Sequence, residues 1–369
     1  MTDNTGKGHF GRGRIERLRP LLSQKHADAL LVTSLPSIRY LTGFTGSAGI
    51  LLLTSSRAIL ITDGRYTVQA AEELRGSGIA LEIARKGLLA AVGGILRRRR
   101  GKVSLGYSPA HLTVAQKDSL DTVLRGQIRW MDTGGVVEKL RAVKEPAELD
   151  AMREAARLIS DVFWSVLPKI RPGISELRVS AEIEYEMKLR GASGPSFDTI
   201  VASGPRSALP HARATPKLLS KKELVVLDQG AILRGYCSDM TRTVFLGRAP
   251  LRVRQMYLAV REAQKAAKAV VKPGVTAGEV DRAARQVLTR RGFGRYFTHS
   301  TGHGLGIEVH EMPRLGAGDA TPLEQGMVVT IEPGAYTEGL GGIRIEDDVV
   351  VTSSGSVDLT TATREFLEL

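Results

Sequence analysis

Residues 224–231 read Leu-Val-Val-Leu-Asp-Gln-Gly-Ala, and residues 328–335 read Val-Val-Thr-Ile-Glu-Pro-Gly-Ala. Each segment has the pattern of an apolar strand that ends in a carboxylate, one further residue, a glycine and an alanine. A second carboxylate follows each segment after a glycine-containing turn, Asp239 in the first and Glu346 in the second. The sequence therefore predicts two related hairpins, each presenting two acidic side chains.

The similarity between the two regions begins further upstream. Residues 171–175 read Arg-Pro-Gly-Ile-Ser and residues 272–276 read Lys-Pro-Gly-Val-Thr, an offset of 101 residues. Each segment opens a predicted helix, with Ser175 and Thr276 at positions where N-caps belong, and a long helix precedes each one. The first of these long helices starts at Lys144-Glu145-Pro146, since proline fits a first helical turn. We therefore expect a region of two halves related by a pseudo-twofold axis.

The acids of the two hairpins are difficult to explain by structure alone. Asp228 and Glu332 end runs that are apolar enough to be buried, and a buried acid is costly unless it is paired or binds a metal. For one hairpin, a solvent-exposed Asp-x-Gly turn would be a sufficient explanation. Because both halves carry acids at equivalent places, we expect the four carboxylates to converge on one site.

A group of histidines lies between the two carboxylate pairs. His299, His303 and His310 fall within twelve residues and are interspersed with glycines. Carboxylates together with imidazole suit Mn²⁺, with Co²⁺ or Zn²⁺ as alternatives, and do not suit a structural thiolate zinc site. Several carboxylates can bridge two ions about 3.5–4 Å apart and activate a water molecule for hydrolysis. The sequence thus predicts a hydrolase with two divalent metal ions and no covalent nucleophile.

The first part of the chain alternates helical and strand patterns, which favours an α/β domain. Residues 49–63 predict two strands joined by a turn, residues 40–49 indicate a glycine-rich turn before a strand, and residues 88–100 predict a helix. We place the domain boundary before the long helix, which gives an α/β domain at residues 1–141 and a catalytic domain at residues 142–369.

Composition limits the location and the partners. The 369 residues contain one cysteine, Cys237, so no internal disulfide can form, and neither a signal peptide nor a stretch of about 20 apolar residues is evident. We therefore expect a cytoplasmic protein that does not enter a membrane. The net charge of +13 includes the run Arg97–Arg100, but aromatic residues make up only 5% and are not interleaved with it. A solvated helix end explains this run, and a nucleic-acid partner is not expected.

Five motifs of the second part resemble those of the pita-bread metallopeptidases, the group of methionine aminopeptidase, aminopeptidase P and prolidase. They are Leu-Asp-Gln-Gly-Ala (227–231), Ser-Asp-Met-Thr-Arg-Thr (238–243), Gly-His-Gly-Leu-Gly (302–306), Glu-Pro-Gly (332–334) and Arg-Ile-Glu-Asp (344–347). In the first part, residues 40–49 and 62–66 are similar to the N-terminal domain of aminopeptidase P and its bacterial relatives. The resemblance implies an α+β pita-bread catalytic domain preceded by a creatinase-type α/β domain.

The resemblance also implies roles for individual residues. The metal ligands would be Asp228, Asp239, His303, Glu332 and Glu346. Asp239 and Glu346 would bridge both ions, and Glu332 would also carry the proton of the attacking water. The substrate-binding residues would be His211, His299, His310 and Arg344. His211, His310 and Glu332 are the candidate catalytic residues, with His310 stabilising the tetrahedral intermediate and Arg344 orienting the ligand carboxylates.

The N-terminal domain favours the proline-specific branch, because methionine aminopeptidases usually lack it. We therefore predict an Xaa-Pro aminopeptidase, which would act as a homodimer on peptides with proline in second position. Such peptides need a dedicated enzyme because proline lacks an N–H group and its ring fixes the backbone. Xaa-Pro dipeptidase (prolidase), acting on dipeptides, is the alternative. A non-enzymatic peptidase-like module that binds proteins or histones is a third alternative, but the chain has kept all five metal ligands.

Overall fold

The computed structural model describes residues 7–99 and 101–369. Residues 1–6 and Arg100, the last arginine of the basic run, lie outside the described residues. The chain divides into two compact units, Met1–Arg141 and Ala142–Leu369. Within the described ranges, no helix is both long enough and apolar enough to cross a membrane.

The first unit alternates helices and strands. Its elements are α1 (Lys7–Gln24), β1 (Ala29–Val32), α2 (Leu35–Thr42), β2 (Ile50–Thr54), β3 (Ala58–Asp63), α3 (Thr67–Glu73), β4 (Ala80–Ala84), α4 (Leu88–Arg97), β5 (Val103–Tyr107), α5 (Val114–Leu124), β6 (Ile128–Asp132) and α6 (Val136–Ala142). The described strands form one mixed sheet in the order β4-β3-β2-β1-β5-β6. The predicted hairpin is the antiparallel pair β2–β3, and the predicted helix at residues 88–100 is α4.

Helix α2 was not predicted, because its glycine-rich end drew the interpretation towards a turn. The side chain of Ser34 accepts a hydrogen bond from the Ser37 N–H, and Pro36 occupies the first turn. Both features favour helix initiation. Gly43 ends the helix with a φ of 77°, a left-handed conformation that glycine adopts without steric cost. The glycine is thus a helix C-cap rather than part of a simple turn.

The second unit contains two long helices before each of two sheets. Its elements are α7 (Pro146–Val166), α8 (Glu176–Leu189), β7 (Gly194–Pro195), β8 (Ile200–Ser203), β9 (Leu224–Gln229), β10 (Ala231–Leu233), β11 (Tyr236–Cys237), β12 (Met240–Phe245), α9 (Leu251–Val270), α10 (Ala277–Arg290), β13 (Gly302–Gly304), β14 (Glu311–Leu315), β15 (Val328–Ile331), β16 (Gly334–Thr337), β17 (Gly341–Arg344), β18 (Asp347–Val351) and β19 (Ser356–Asp358). The main sheets have the orders β12-β9-β8 and β14-β13-β15-β18-β19.

In the helix pairs α7–α8 and α9–α10, the second helix begins in the same way. The Ser175 side chain caps α8 by accepting a hydrogen bond from the Arg178 N–H. The Thr276 side chain caps α10 by accepting one from the Glu279 N–H. Both residues were predicted as N-caps from the repeated Pro-Gly-x-Ser/Thr pattern.

The repeat extends to the loops that lead into the sheets. The Gly173 N–H donates to the Leu219 carbonyl at 2.8 Å, and the Gly274 N–H donates to the Leu323 carbonyl at 2.9 Å. These bonds join the start of the second helix in each half to the segment that precedes β9 or β15. The two halves therefore repeat in their hydrogen bonding as well as in their sequence.

Each half has its own apolar core between its helices and its sheet. In the first half, Ile159 and Phe163 of α7 belong to one buried cluster with Leu227 of β9. In the second half, Val260 of α9 and Ile331 of β15 share another. Side chains alternate between the two faces of a strand, so residues next to Leu227 and Ile331 point to the face away from the helices. That face carries the acids of the two hairpins.

Candidate metal centre

The two hairpins carry their acids at corresponding positions. Asp228 lies on β9, opposite Thr241 of β12, and Asp239 directly precedes β12. Glu332 directly follows β15, and Glu346 directly precedes β18, its antiparallel partner. The apolar strands thus hold the carboxylates at the ends of buried ladders.

Three predicted ligands meet at one point. Asp239, His303 and Glu346 each offer a ligand atom, and these atoms lie within 4.8 Å of one another. His303 Nε2 lies 3.7 Å from Asp239 Oδ2 and 3.5 Å from Glu332 Oε1. The structure therefore brings four of the five predicted ligands together directly.

The fifth predicted ligand, Asp228, lies beside this group and is held by an arginine. Its Oδ2 accepts a hydrogen bond from Arg344 Nη2 at 2.5 Å. Among the described residues, neither Asp228 Oδ1 nor Asp239 Oδ1 has a hydrogen-bond partner, although both atoms are buried. A buried carboxylate oxygen without a donor is costly, and a bound cation would satisfy both oxygens.

Burial and the neighbouring carboxylates shift the pKa values of these acids strongly. Burial, followed by the charges of Glu346 and Asp228, holds the pKa of Asp239 well above its usual range. Burial, followed by the charges of Glu332 and Asp228, has the same effect on the pKa of Glu346. Burial raises the pKa of Glu332 to about 7, even though Arg344 lowers it. Acids buried this close together are stable as anions only with compensating positive charge, so these residues fit bound divalent cations.

His303 has the protonation state that a metal ligand requires. Burial and the nearby His310 lower the pKa of His303 to about 4, which leaves the ring neutral at physiological pH. Its Nδ1 lies 3.1 Å from the Gly304 carbonyl. A proton on Nδ1 donates to that carbonyl and leaves the Nε2 lone pair free for a metal ion.

His299 belongs to a hydrogen-bonded chain that ends at Arg344. His299 Nδ1 lies 2.8 Å from the Ser300 carbonyl, and Nε2 lies 2.9 Å from the Tyr336 hydroxyl. That hydroxyl accepts from Arg344 Nη1 at 2.8 Å, so its own proton is directed to His299. Burial, with a contribution from Arg344, lowers the pKa of His299 to about 4. The ring is therefore neutral, with Nδ1 as donor and Nε2 as acceptor.

Arg344 is engaged by the protein on several sides. Besides Asp228 and Tyr336, its Nε donates to Thr241 Oγ1 at 2.9 Å and its Nη1 donates to the Pro210 carbonyl at 3.0 Å. The side chain is buried. Arg344 therefore connects the Asp228 carboxylate to the segment that carries the next residue, His211.

The two remaining predicted histidines face the same region. His211 and His310 are both exposed. After burial, the charge of His211 contributes to lowering the pKa of both His299 and His310. The rings of His303 and His310 are in edge contact, with centroids 4.3 Å apart. All the histidines singled out in the sequence thus gather around the acids.

The structure adds residues that the sequence did not single out. Tyr336 reaches the site only because the β16–β17 hairpin folds it against His299 and Arg344. Arg314 of β14 lies opposite His303 of β13, so the two side chains share a face of the sheet, and Arg314 is exposed. An arginine in an exposed strand has no distinctive sequence signal, and only the strand register brings it to the site.

Comparisons with known proteins agree with this geometry. Residues 150–353 match metallopeptidase family M24, and residues 14–143 match the creatinase/prolidase N-terminal domain. The Xaa-Pro dipeptidase of Pyrococcus horikoshii is 36% identical over 356 residues, which are 96% of this chain and 98% of that protein. The chain therefore belongs to metallopeptidase family M24, and the resemblance inferred from the motifs is confirmed.

Solved structures confirm the fold class as well. The Xaa-Pro dipeptidase from Bacillus anthracis has a TM-score of 0.93 and 40% identity, over 97% of this chain and 100% of that one. The X-Pro aminopeptidase from Thermotoga maritima has a TM-score of 0.86 and 34% identity, over 95% of this chain and 100% of that one. A pita-bread catalytic domain preceded by a creatinase-type domain is thus the architecture of this protein.

Proposed function

We propose that this protein is a metal-dependent Xaa-Pro dipeptidase, which hydrolyses the bond between an N-terminal residue and a C-terminal proline. The observation that carries the proposal is the meeting of Asp239, His303 and Glu346 within 4.8 Å, beside further buried acids. Full-length relatives named Xaa-Pro dipeptidase favour this alternative over the aminopeptidase activity that the sequence analysis preferred.

The metal ligands that we propose are the four acids and one histidine predicted from the motifs, Asp228, Asp239, His303, Glu332 and Glu346. Asp239 and Glu346 would hold both ions, as the resemblance implies, and their ligand atoms lie in the central group with His303. When bound, two divalent cations, with Mn²⁺ as first choice and Co²⁺ or Zn²⁺ as alternatives, polarise the scissile carbonyl and activate the attacking water.

Glu332 is assigned the proton transfer. Its side chain is 16% exposed, against 6% for Asp239, so it is the more accessible of these two carboxylates. Its Oε1 takes a proton from the attacking water and delivers it to the nitrogen of the departing proline, as a general base and then a general acid. The hydrogen bond from Thr330 Oγ1 to Oε1, at 3.5 Å, is long enough to leave this oxygen available.

We assign the histidines outside the ligand set to substrate binding. His310 is exposed to the site and in contact with His303, which suits a donor to the oxygen of the tetrahedral intermediate. His299 is held between the rings of Phe297 and Tyr336, with centroids 5.1 Å and 5.4 Å away. We assign these rings to the wall that receives the proline ring, and the exposed His211 to the mouth of the same pocket.

A dipeptide differs from a longer peptide by a free carboxylate next to the proline ring. Arg314 offers a positive charge at the rim, on the same face of the sheet as His303. A guanidinium binds a carboxylate through two parallel hydrogen bonds. We therefore assign Arg314 to the C-terminal carboxylate of the dipeptide, with His211 as a second donor.

Hydrolysis of Ala-Pro and Ala-Pro-Ala by metal-stripped protein, with and without added Mn²⁺, tests this function. We expect metal-dependent cleavage of Ala-Pro, little cleavage of Ala-Pro-Ala, and no activity in the Asp239→Ala variant. The reverse preference would make the protein an aminopeptidase. Cleavage of neither peptide with any metal would refute the peptidase assignment in favour of a peptidase-like binding module.

The proposed setting is the cytoplasm, and the proposed assembly is a homodimer. Cys237 is buried, and burial raises the pKa of its thiol to about 12, so the thiol is unreactive. A reducing compartment is consistent with this single cysteine. Light scattering on the purified chain would give a mass near twice that of the monomer if the homodimer is correct.

A further inference from the structure

A further buried acid, Asp348, lies next to the candidate centre. It is on β18, only 1% exposed, and its Oδ2 accepts a hydrogen bond from the Asp239 N–H at 3.0 Å. Its Oδ1 is buried without a hydrogen-bond partner among the described residues. Such a group costs stability, and the catalytic assignments above leave it without a role.

The pseudo-twofold repeat shows which residue corresponds to Asp348. Asp348 comes two residues after Glu346, and Thr241 comes two residues after Asp239. Thr241 Oγ1 donates a hydrogen bond to Glu346 Oε2 at 2.5 Å. In each half, the residue two positions after the second carboxylate therefore contacts the second carboxylate residue of the other half.

The backbone bonds at these two residues differ between the halves. The Glu346 N–H donates to the Thr241 carbonyl at 3.1 Å, and its counterpart in the repeat would run from the Asp239 N–H to the Asp348 carbonyl. The Asp348 carbonyl instead accepts from the Leu359 N–H at 2.9 Å. In place of that backbone bond, the Asp239 N–H donates to the Asp348 side chain.

Asp348 is itself held firmly. Its N–H donates to Thr360 Oγ1 at 3.0 Å, and it pairs with Thr330 in the ladder between β18 and β15. Because the Asp348 backbone is fixed by these bonds, its carboxylate can hold the Asp239 N–H, and with it the Asp239 backbone, in one position. This matters because Asp239 Oδ1 has no hydrogen-bond partner among the described residues that would orient it.

We propose that Asp348 and Thr241 are reciprocal positioning residues, each holding the second carboxylate residue of the opposite hairpin in the geometry that binds both cations. The proposal rests on the metal centre of the proposed function. Since Asp239 and Glu346 are the acids assigned to both ions, loss of either support weakens binding at both positions. Outer-shell contacts of this kind change metal affinity by about 10- to 100-fold.

The test is a calorimetric titration of the metal-stripped full chain with Mn²⁺. We expect Asp348→Ala to weaken Mn²⁺ binding by about 10- to 100-fold, and Asp348→Asn to retain it, because the amide oxygen still accepts from the Asp239 N–H. Thr241→Val is expected to weaken binding and Thr241→Ser to retain it, because serine keeps the hydroxyl. The Ala and Val variants lose the contact, and the Asn and Ser variants keep it.

Ser160→Ala is the matched control. Ser160 is 1% exposed in the same unit, and its Oγ accepts from the Thr361 N–H at 3.1 Å, so its removal also takes the acceptor from a backbone N–H. We expect this variant to lose stability and to bind Mn²⁺ as the wild type does. If Asp348→Ala does not fold, the Thr241 pair of variants carries the test.

The outcomes separate the two proposals. Wild-type Mn²⁺ affinity in folded Asp348→Ala and Thr241→Val variants would overturn the positioning role and leave the peptidase proposal standing. Weakened binding with rescue by Asn and Ser supports the positioning role even if neither peptide is cleaved. A wild-type chain that binds no Mn²⁺ would overturn the metal centre and the positioning role together.

Discussion

At the scale of single residues, the centre combines acids whose charges repel one another with groups that hold them in place. Arg344 binds Asp228, the hydroxyl of Thr241 binds Glu346, and Asp348 binds the backbone of Asp239. Each support comes from the hairpin opposite to the acid that it holds. The candidate ligands are therefore ordered by contacts between the halves, as pre-organisation of a metal site requires.

Arg314 gives a prediction at this scale. We expect Arg314→Met to raise the KM for Ala-Pro by about 10- to 100-fold, since a hydrogen bond to a charged group contributes about 1.5–3 kcal/mol. The kcat is expected to change little, because the carboxylate lies away from the scissile bond. Steady-state kinetics with Ala-Pro measures both constants. Arg157→Met, a change at an exposed arginine of α7, is the control.

The contradicting result for Arg314 is equally specific. An Ala-Pro KM within about twofold of the wild-type value would show that Arg314 does not bind the carboxylate. Even a tenfold change in KM corresponds to only about 1.4 kcal/mol. A fall in kcat at unchanged KM would place Arg314 in the chemical step instead.

At the scale of elements, the first turn of α8 organises the segment that carries His211. Glu176 is fully buried, and its carboxylate accepts from the N–H and hydroxyl of Ser203 and from the N–H and hydroxyl of Thr215. Arg206 Nε adds an ion pair at 3.1 Å. A single side chain at a helix start thus ties β8 to both ends of the loop around His211.

Glu176 gives a prediction about pH. Burial acts to raise its pKa, but the hydrogen bonds from Thr215 and Ser203 and the charge of Arg206 outweigh this, so the pKa is lowered from 4.5. A carboxyl group with a lowered folded-state pKa stabilises the fold above its unfolded pKa and loses that contribution as pH falls through the folded value. We expect Glu176→Gln to lower the free energy of unfolding by about 1–3 kcal/mol at pH 7.

The difference between Glu176→Gln and the wild type should shrink as pH falls below 4.5, the ordinary pKa of this group. Urea unfolding at a series of pH values measures it. Glu184→Gln, on the same helix but less buried, is the control and should change stability little at any pH. A constant difference down to the acid range would show that the carboxylate charge of Glu176 does not stabilise the fold.

At the scale of the whole molecule, each unit has a core of its own. Leu52, Ile61 and Leu105 are buried in the sheet of the first unit, and the second unit has a core in each half. The candidate site of the second unit lies between its two halves. Its carboxylates are buried there, and burying their charge lowers the stability that the apolar cores provide. Metal binding is therefore expected to stabilise the second unit, because bound cations compensate the charge of the buried acids.

Metal removal gives the prediction at this scale. At a free Mn²⁺ concentration about 100 times the dissociation constant, binding adds about 2.7 kcal/mol to the stability. For a domain of this size, that corresponds to a rise of about 5–10 °C in the unfolding temperature. Differential scanning calorimetry of metal-stripped protein, before and after adding Mn²⁺, measures the rise. We expect Asp239→Asn to abolish it.

Asp150→Asn is the control for the metal experiment, because Asp150 is exposed on α7 and pairs with Arg153. It should show the same rise as the wild type. A rise that survives in Asp239→Asn would mean that Mn²⁺ binds somewhere other than the predicted centre.

Local patterns in the sequence were sufficient for much of the fold. The hairpin at residues 49–63, the N-caps Ser175 and Thr276, and the repeat between the two halves all follow from chemistry within a few residues. Caps and strand periodicity act locally, so they can be recognised without knowledge of tertiary contacts. Helix α2 was missed because Gly43 fits both a turn and a helix end.

The sequence by itself determined the fold class and the metallopeptidase family, which the comparisons confirm. It also nominated the five candidate ligands, because two apolar runs that end in acids at equivalent places favour pairing or metal binding. Tertiary structure alone decided what surrounds them. Asp348 reaches the Asp239 backbone across 109 positions of the chain, and Arg314 meets His303 only through the strand register. Such contacts depend on how the two halves pack together, and no local pattern in the sequence records that geometry.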